Sequence, residues 1–268
     1  MQHQLNMLKN NSGVKTKSMY KSNFKLHYPL LVTAVVIGSA AIASPSSLTQ
    51  AVIGHKPTVD NVLLDKTAAV LGDTLNVTYD YQDIDGDADA STLLWLKNGL
   101  VVAGQTGKRY TIPQLNTSTG TGNACDTTPF QIAVEVTPQS QKGDPKTGEA
   151  KQSVATQVNV ATIPNFTFPD TVLRTWSVAN AFCVGKGLRL PTRAELLAVY
   201  TTYTNGGGGT NEMAGWYGWP MSGQCGGSVN TYWTSEPGTS GNHYFINMYL
   251  GVAFNRSDTT TTHVTCVR

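Results

Sequence analysis

The chain has 268 residues and looks weakly basic, with 19 Lys+Arg against 17 Asp+Glu. The excess is local: residues 1–43 hold Lys9, Lys15, Lys17, Lys21 and Lys25 and no acid, and removing those five leaves 14 against 17, a net charge of −3. That withdraws the electrostatic basis for binding nucleic acid. Few charges together with many Gly, Thr, Ser and Asn residues suit an exported, β-rich protein with long loops.

In chain order, the lysine-rich start leads into the apolar run Leu30–Ala43, which ends in Ala41-x-Ala43. This is the pattern of a secretory signal, with cleavage expected after Ala43. The run is short for a membrane span, so a retained anchor is the second reading. No cysteine follows it, and no lipid anchor is indicated. Met19 is an alternative start that leaves a more usual n-region. About 225 residues then remain, enough for two small domains with their own cores.

Cysteines stand at 125, 183, 225 and 266. An even count in an exported chain favours disulfides. There is no C-x-x-C and no Cys/His set at zinc spacing. The histidines, at 3, 27, 55, 243 and 263, are scattered. No metal and no cofactor are expected.

Residues 44–57 read as a linker, and 58–163 as a domain with a two-residue period. Leu75, Val77, Tyr79 and Tyr81 alternate, as do Phe130, Ile132, Val134 and Val136, and Val154, Thr156, Val158 and Val160; alternation of this kind marks half-buried strands. Leu93 to Leu96 around Trp95, and Arg109 to Ile112, add further strands. Turn clusters at Asp83–Asp87, Asn98-Gly99, Asn116–Asn123 and Gln141–Gly148 separate them. About seven short strands around one tryptophan predict an immunoglobulin-like sandwich, without its inter-sheet disulfide. The strings Pro57–Val62, Gly72–Leu75, Tyr79–Asp83, Asp85-Gly-Asp87 and Val136-Thr-Pro138 resemble a domain that recurs in bacterial surface proteins. There it is a spacer or display unit.

Asp80, Asp83, Asp85, Asp87 and Asp89 crowd one turn. D-x-D-G-D resembles the start of a calcium loop, but the EF-hand glycine and the closing Glu are missing. The alternative is a solvated turn whose aspartates bond their own backbone.

Residues 164–268 change character. Trp176, Ala179, Phe182 and Cys183 recur at helical spacing, with Gly185 and Gly187 to end the helix in the left-handed conformation. Thr192 and Glu195 fit a capping box for a second helix with Leu196, Leu197 and Tyr200 inward. An irregular middle follows, through Asn205–Gly209, Trp216, Tyr217, Trp219 and Gly223–Gly227. Strands are expected at Thr231–Ser235, His243–Leu250 and His263–Val267, with Arg256 to Thr262 as a solvated loop. This is an α+β plan.

Trp176 with Ala179 and Cys183, Arg189-Leu-Pro-Thr192 with Glu195-Leu196, Tyr232-Trp-Thr-Ser235 and Val264-Thr-Cys266-Val resemble the C-type-lectin-like domain at the tips of intimin and invasin adhesins. The resemblance implies a Cys183–Cys266 disulfide. Cys125 and Cys225 are then left to bridge the two domains or to stay unpaired, and spacing does not decide. The calcium-lectin strings E-P-N, Q-P-D and W-N-D are missing; the nearest are Ser235-Glu-Pro-Gly238 and Tyr232-Trp-Thr. The L-P-T-x-x-E-L helix also resembles formylglycine-generating enzymes, but their cysteine pair has no counterpart around Cys225 or Cys266. No G-x-S-x-G, H-E-x-x-H or P-loop occurs. Glu195 reads as a cap, Glu212 and Glu236 stand alone, and no catalytic residues are assigned.

Signal, sandwich and lectin-like domain without a β-barrel also resemble the small secreted proteins of the zinc-regulated Zir system in enteric bacteria. That likeness implies export with an inverse-autotransporter partner, a sister secreted protein or host-surface protein as ligand, and a part in virulence. The expectation is an all-β immunoglobulin-like sandwich followed by an α+β C-type-lectin-like domain, secreted through the periplasm. It would be a non-enzymatic adhesion module; a glycan-binding lectin and an enzyme relative are the alternatives. Trp216, Tyr217 and Trp219 are candidate partner-binding residues, since large aromatics anchor interfaces; a place in the core is their second reading.

Overall fold

Alternating side chains build the first part of the computed structural model, which describes residues 54–204 and 212–268. The expected export signal, 1–43, most of the expected linker and the Asn205–Gly209 run lie outside the described residues. Strands β1 (Thr58–Leu64), β3 (Thr74–Gln82) and β6 (Arg109–Thr111) form one sheet, in the order β1-β3-β6. The facing sheet runs β2-β9-β7-β4-β5, from β2 (Ala68–Val70), β9 (Thr156–Asn159), β7 (Phe130–Thr137), β4 (Thr92–Lys97) and β5 (Leu100–Val101), with β8 (Lys151–Gln152) also paired to β7. Leu75 and Val77 point inward from one sheet, and Trp95, Ile132, Val134, Val136 and Val158 from the other. Trp95 is wholly buried and stacks on Tyr110 at 5.2 Å between ring centres. Its indole N–H donates to the Gly107 carbonyl at 2.8 Å, so burial leaves no polar orphan.

Asn98 and Gly99, both at positive φ (49° and 78°), make the tight β4–β5 turn; two consecutive left-handed residues suit the twist of a hairpin. Nine strands stand where about seven were expected. Val154, expected in an inward-facing run, is 83% exposed between β8 and β9. The short β8 takes up the pairing with β7 before the chain crosses to β9.

The second part wraps a three-stranded antiparallel sheet of β10 (Thr231–Pro237), β11 (Asn242–Asn247) and β12 (Val252–Ser257). Adjacent residues in a strand face opposite ways, so Trp233 and Phe245 look to one side and Tyr232 and Ile246 to the other. Helix α1 (Trp176–Val184) covers the Trp233 face with Ala179 and Cys183. Helix α2 (Arg193–Tyr203) covers the Tyr232 face with Leu196, Val199 and Tyr200. Leu197, expected inside, is half-buried, and Val199 takes its place.

Helix α1 ends on a Schellman pattern, with Gly187 N–H to Val184 O and Leu188 N–H to Cys183 O. Gly187 (φ 69°) supplies the left-handed residue that this closure needs, whereas Gly185 stays right-handed. At α2 the capping box is complete in both directions.

Three local expectations are corrected. A short helix, α3 (Glu212–Tyr217), lies in the stretch expected to be irregular. Arg256 belongs to strand β12 rather than to a loop. Residues 263–267 make only isolated bridges, Tyr232–His263, Phe166–Val267 and Arg189–Val267, where a full strand was expected.

Candidate functional site

Residues 51–268 cluster as one compact unit, and the reason lies in two reciprocal insertions. Between β6 and β7 the chain leaves the sandwich. Leu115 N–H donates to Gly215 O, Cys225 N–H to Thr117 O, and Gly122 N–H to Gly226 O. Cys125 reaches the core of the second part and bonds to Cys225, with Cα atoms 4.5 Å apart. In the other direction Trp216, on α3, packs against the sandwich core beside Gly72. Each half lends the other a piece of apolar surface, and a disulfide pins the exchange.

The second disulfide joins Cys183 on α1 to Cys266. Cys183 lies between 125 and 225 in sequence and Cys266 lies beyond both, so the two covalent loops interlock. Described cysteines are all paired.

Of the three aromatic candidates, Trp219 is unable to contact a partner. It is 2% exposed, 5.1 Å from the Tyr232 ring, and belongs to the core. Trp216 is half-buried in the seam. Tyr217 is also half-buried, edge-on to Tyr203 at 5.3 Å, and with Trp216 and Glu212 it lines a groove of about 270 Å³. Tyr203, Leu197 and Tyr249 complete a half-buried rim around the same core, with Leu250 exposed next to it. Between Glu195 and Arg256 the sequence holds just two charged residues, Glu212 and Glu236, with His243. A charge-poor surface with tyrosines is the composition of an interface centre. That depletion was readable from the sequence, whereas the spatial gathering of residues from α2, α3 and the β11–β12 hairpin was not.

Several charged groups of this half are spent on the frame. Arg189 donates to both carboxylate oxygens of Glu195, at 2.8 and 2.6 Å, and the Thr192 N–H donates to the same group at 2.7 Å. The guanidinium first, then the cap, hold the Glu195 carboxyl down at about 2. Arg193 bonds Glu236 and lies over the Tyr244 ring at 4.1 Å. His243 stacks on Trp176 at 3.5 Å between ring centres and meets Asp258 at 2.6 Å. His263 is fully buried with neither ring nitrogen hydrogen-bonded, and burial presses its pKa down to about 4.

The aspartate turn bonds its own backbone. Asp83 accepts from the Asp85 N–H at 2.8 Å and from the Tyr81 hydroxyl at 3.2 Å. Asp85 accepts from His55, and Asp89 from Tyr79 and Ser91. Among the described residues no group of three His, Cys, Asp or Glu is placed to hold a metal ion. No described helix is long and apolar enough to cross a membrane.

Residues 145–267 match a family described as an adhesion domain, InvE_AD. The match takes in a little under half of the chain and supports an adhesin-type tail. The matched segment opens before β8, so it takes in the last strands of the sandwich as well as the helical half that carries both Cys183 and Cys266. The chain is also similar to the structure of the Yersinia pseudotuberculosis adhesin InvE, at 14% identity over 80% of this chain and 70% of that one, with a TM-score of 0.38. A likeness at that level adds nothing about function. The comparison with curated proteins gives no match.

Proposed function

We propose that the chain is an exported, non-enzymatic adhesion module. In this reading the sandwich is an immunoglobulin-like spacer and the second half a C-type-lectin-like unit that meets a protein partner through the rim of Leu197, Tyr203, Tyr217, Tyr249 and Leu250. The observation that carries it is the adhesion-domain match over 145–267, which supports a binding rather than a catalytic role for that half. The rim supports the placement, because it is a tyrosine-bearing surface poor in charge, with Glu212 beside it. Export by way of the N-terminal signal, with an inverse-autotransporter barrel as partner and a part in virulence like that of the Zir proteins, completes the proposal.

The test is binding of the purified chain to bacterial outer membranes and to host-cell surfaces, with Tyr203→Ala and Tyr249→Ala beside it. Saturable binding that falls at least about tenfold in these variants, with unfolding midpoints near that of the unaltered chain, supports the proposal. Binding that both variants leave intact sinks the placement, and turnover of a sugar or protein substrate sinks the non-enzymatic reading.

A further inference from the structure

Strand β12 is an edge strand. It pairs with β11 alone, its register is unbroken from Val252 to Ser257, and none of its residues is buried, whereas β10 and β11 carry Tyr232, Trp233, Phe245 and Ile246 in the cores. It has no proline, no bulge and one charge, Arg256, so the devices that blunt an open edge are largely absent.

The direction of its backbone groups follows from the ladder. Asp258 N–H bonds Gly241 O, and 241/258 continues the pairing Asn242–Ser257, His243–Arg256, Tyr244–Asn255. Antiparallel pairs alternate between bonded and non-bonded sites. Arg256, Phe254 and Val252 therefore bond to β11, and Asn255 and Ala253 aim their N–H and C=O groups outward. Among the described residues nothing takes up those groups. Ser257 also points outward, but its carbonyl already accepts from Thr260 N–H.

We infer that β12 pairs with β12 of a second copy, antiparallel, about a two-fold axis through Phe254. In that register Ala253 faces Asn255 of the partner subunit and each exchanges its free N–H and C=O with the other. The set of unpaired groups is thereby satisfied, and Ser257 is not needed. A register one residue along requires the Ser257 carbonyl that Thr260 occupies. Phe254 falls at a non-bonded site, where facing side chains approach most closely, so two phenyl rings meet at the axis, an arrangement that stabilises cross-strand pairs. Phe254, Val252 and Arg256 share one face of the sheet. Arg256, whose guanidinium lies 5.9 Å from the Phe254 ring, then faces Val252 of the partner subunit, so no like charges oppose. The contact is isologous, as a closed dimer requires, and turns two three-stranded sheets into one of six strands. It covers less than the roughly 800 Å² per partner of a stable dimer, so association belongs to high local concentration, as on a crowded surface. This inference stands apart from the adhesion reading: it uses the sheet edge, not the tyrosine rim.

Sedimentation equilibrium of the purified full chain, from about 10 μM to about 1 mM, tests it over the range where weak pairs form. The expected result is a weight-average mass that climbs toward twice the monomer's. Ala253→Pro removes one outward N–H and leaves the β11 ladder intact; it should lower self-association at least about tenfold with an unchanged near-ultraviolet circular dichroism spectrum. Phe254→Cys should give a disulfide-linked dimer under mild oxidation. A chain that stays monomeric across the range overturns the inference, as does a dimer that Ala253→Pro leaves untouched and Phe254→Cys does not cross-link.

Discussion

The six-membered ring of Trp216 lies over Gly72, its Cζ3 atom 3.3 Å from where a β-carbon would stand. Gly72 also has a φ of 88°, which side chains rarely adopt. Its replacement by alanine therefore meets two penalties, backbone strain and a blocked seat for the indole. Gly72→Ala is expected to cost roughly 1–3 kcal/mol and Trp216→Ala about 2 kcal/mol. Urea unfolding followed by tryptophan fluorescence measures both. A single transition moving to lower urea supports one cooperative unit; two separated transitions for the unaltered chain contradict it.

The interlocked disulfides should be separable in effect. Closed loops spanning 100 and 83 residues are each worth about 2–5 kcal/mol when opened. Cys125→Ser with Cys225→Ser is expected to release the 113–129 excursion and to expose it to protease before the helical core unfolds. Cys183→Ser with Cys266→Ser should instead loosen α1 and the C-terminal residues. Limited proteolysis with mass spectrometry distinguishes the two; identical first cuts in both variants would refute the assignment.

Thr192 and Glu195 make a local, testable device. Thr192→Ala is expected to cost about 1 kcal/mol. Glu195 has its folded pKa depressed to about 2, so its stabilising contribution is present above the ordinary value near 4.5 and is lost as the pH falls through about 2. Partial exposure of the pair tempers its size. Glu195→Gln should lower the melting temperature at pH 7 and make little difference at pH 2, as read by calorimetry.

His263 is an independent source of acid sensitivity. It sits neutral in the core against Tyr232, 5.5 Å between ring centres, with Asp170 and the cationic Arg174 as its charged neighbours. The unfolded chain takes a proton near pH 6.5 and the folded chain only near 4. Stability is therefore unaffected above about 6.5 and falls as the pH drops from there to about 4, by roughly 3 kcal/mol. His263→Leu should flatten the stability profile in that window; an unchanged slope would mean the ring is not the group responsible.

Features legible in the sequence share a short range. The α2 cap rests on two side chains three residues apart, the end of α1 on a glycine four positions past Cys183, and the sandwich strands on alternation within six or eight residues. Each is fixed by backbone hydrogen bonding that a nearby residue either supports or forbids. Val154 shows the limit: it continues an alternating pattern, yet the chain has left the sheet for a crossover there.

The aromatic cluster marks the boundary most clearly. Trp216, Tyr217 and Trp219 have one chemistry and nearly one address, and the sequence alone determined that they would sit in a glycine-rich stretch next to a capped helix. The tertiary structure decided that Trp219 fills a core, Trp216 seals the sandwich, and Tyr217 reaches the rim. Likewise it decided that Cys125 crosses to Cys225 and that β12 is left without a neighbour. Burial, disulfide partnering and an open sheet edge depend on which distant segments arrive at the same place, and no local propensity encodes that arrival.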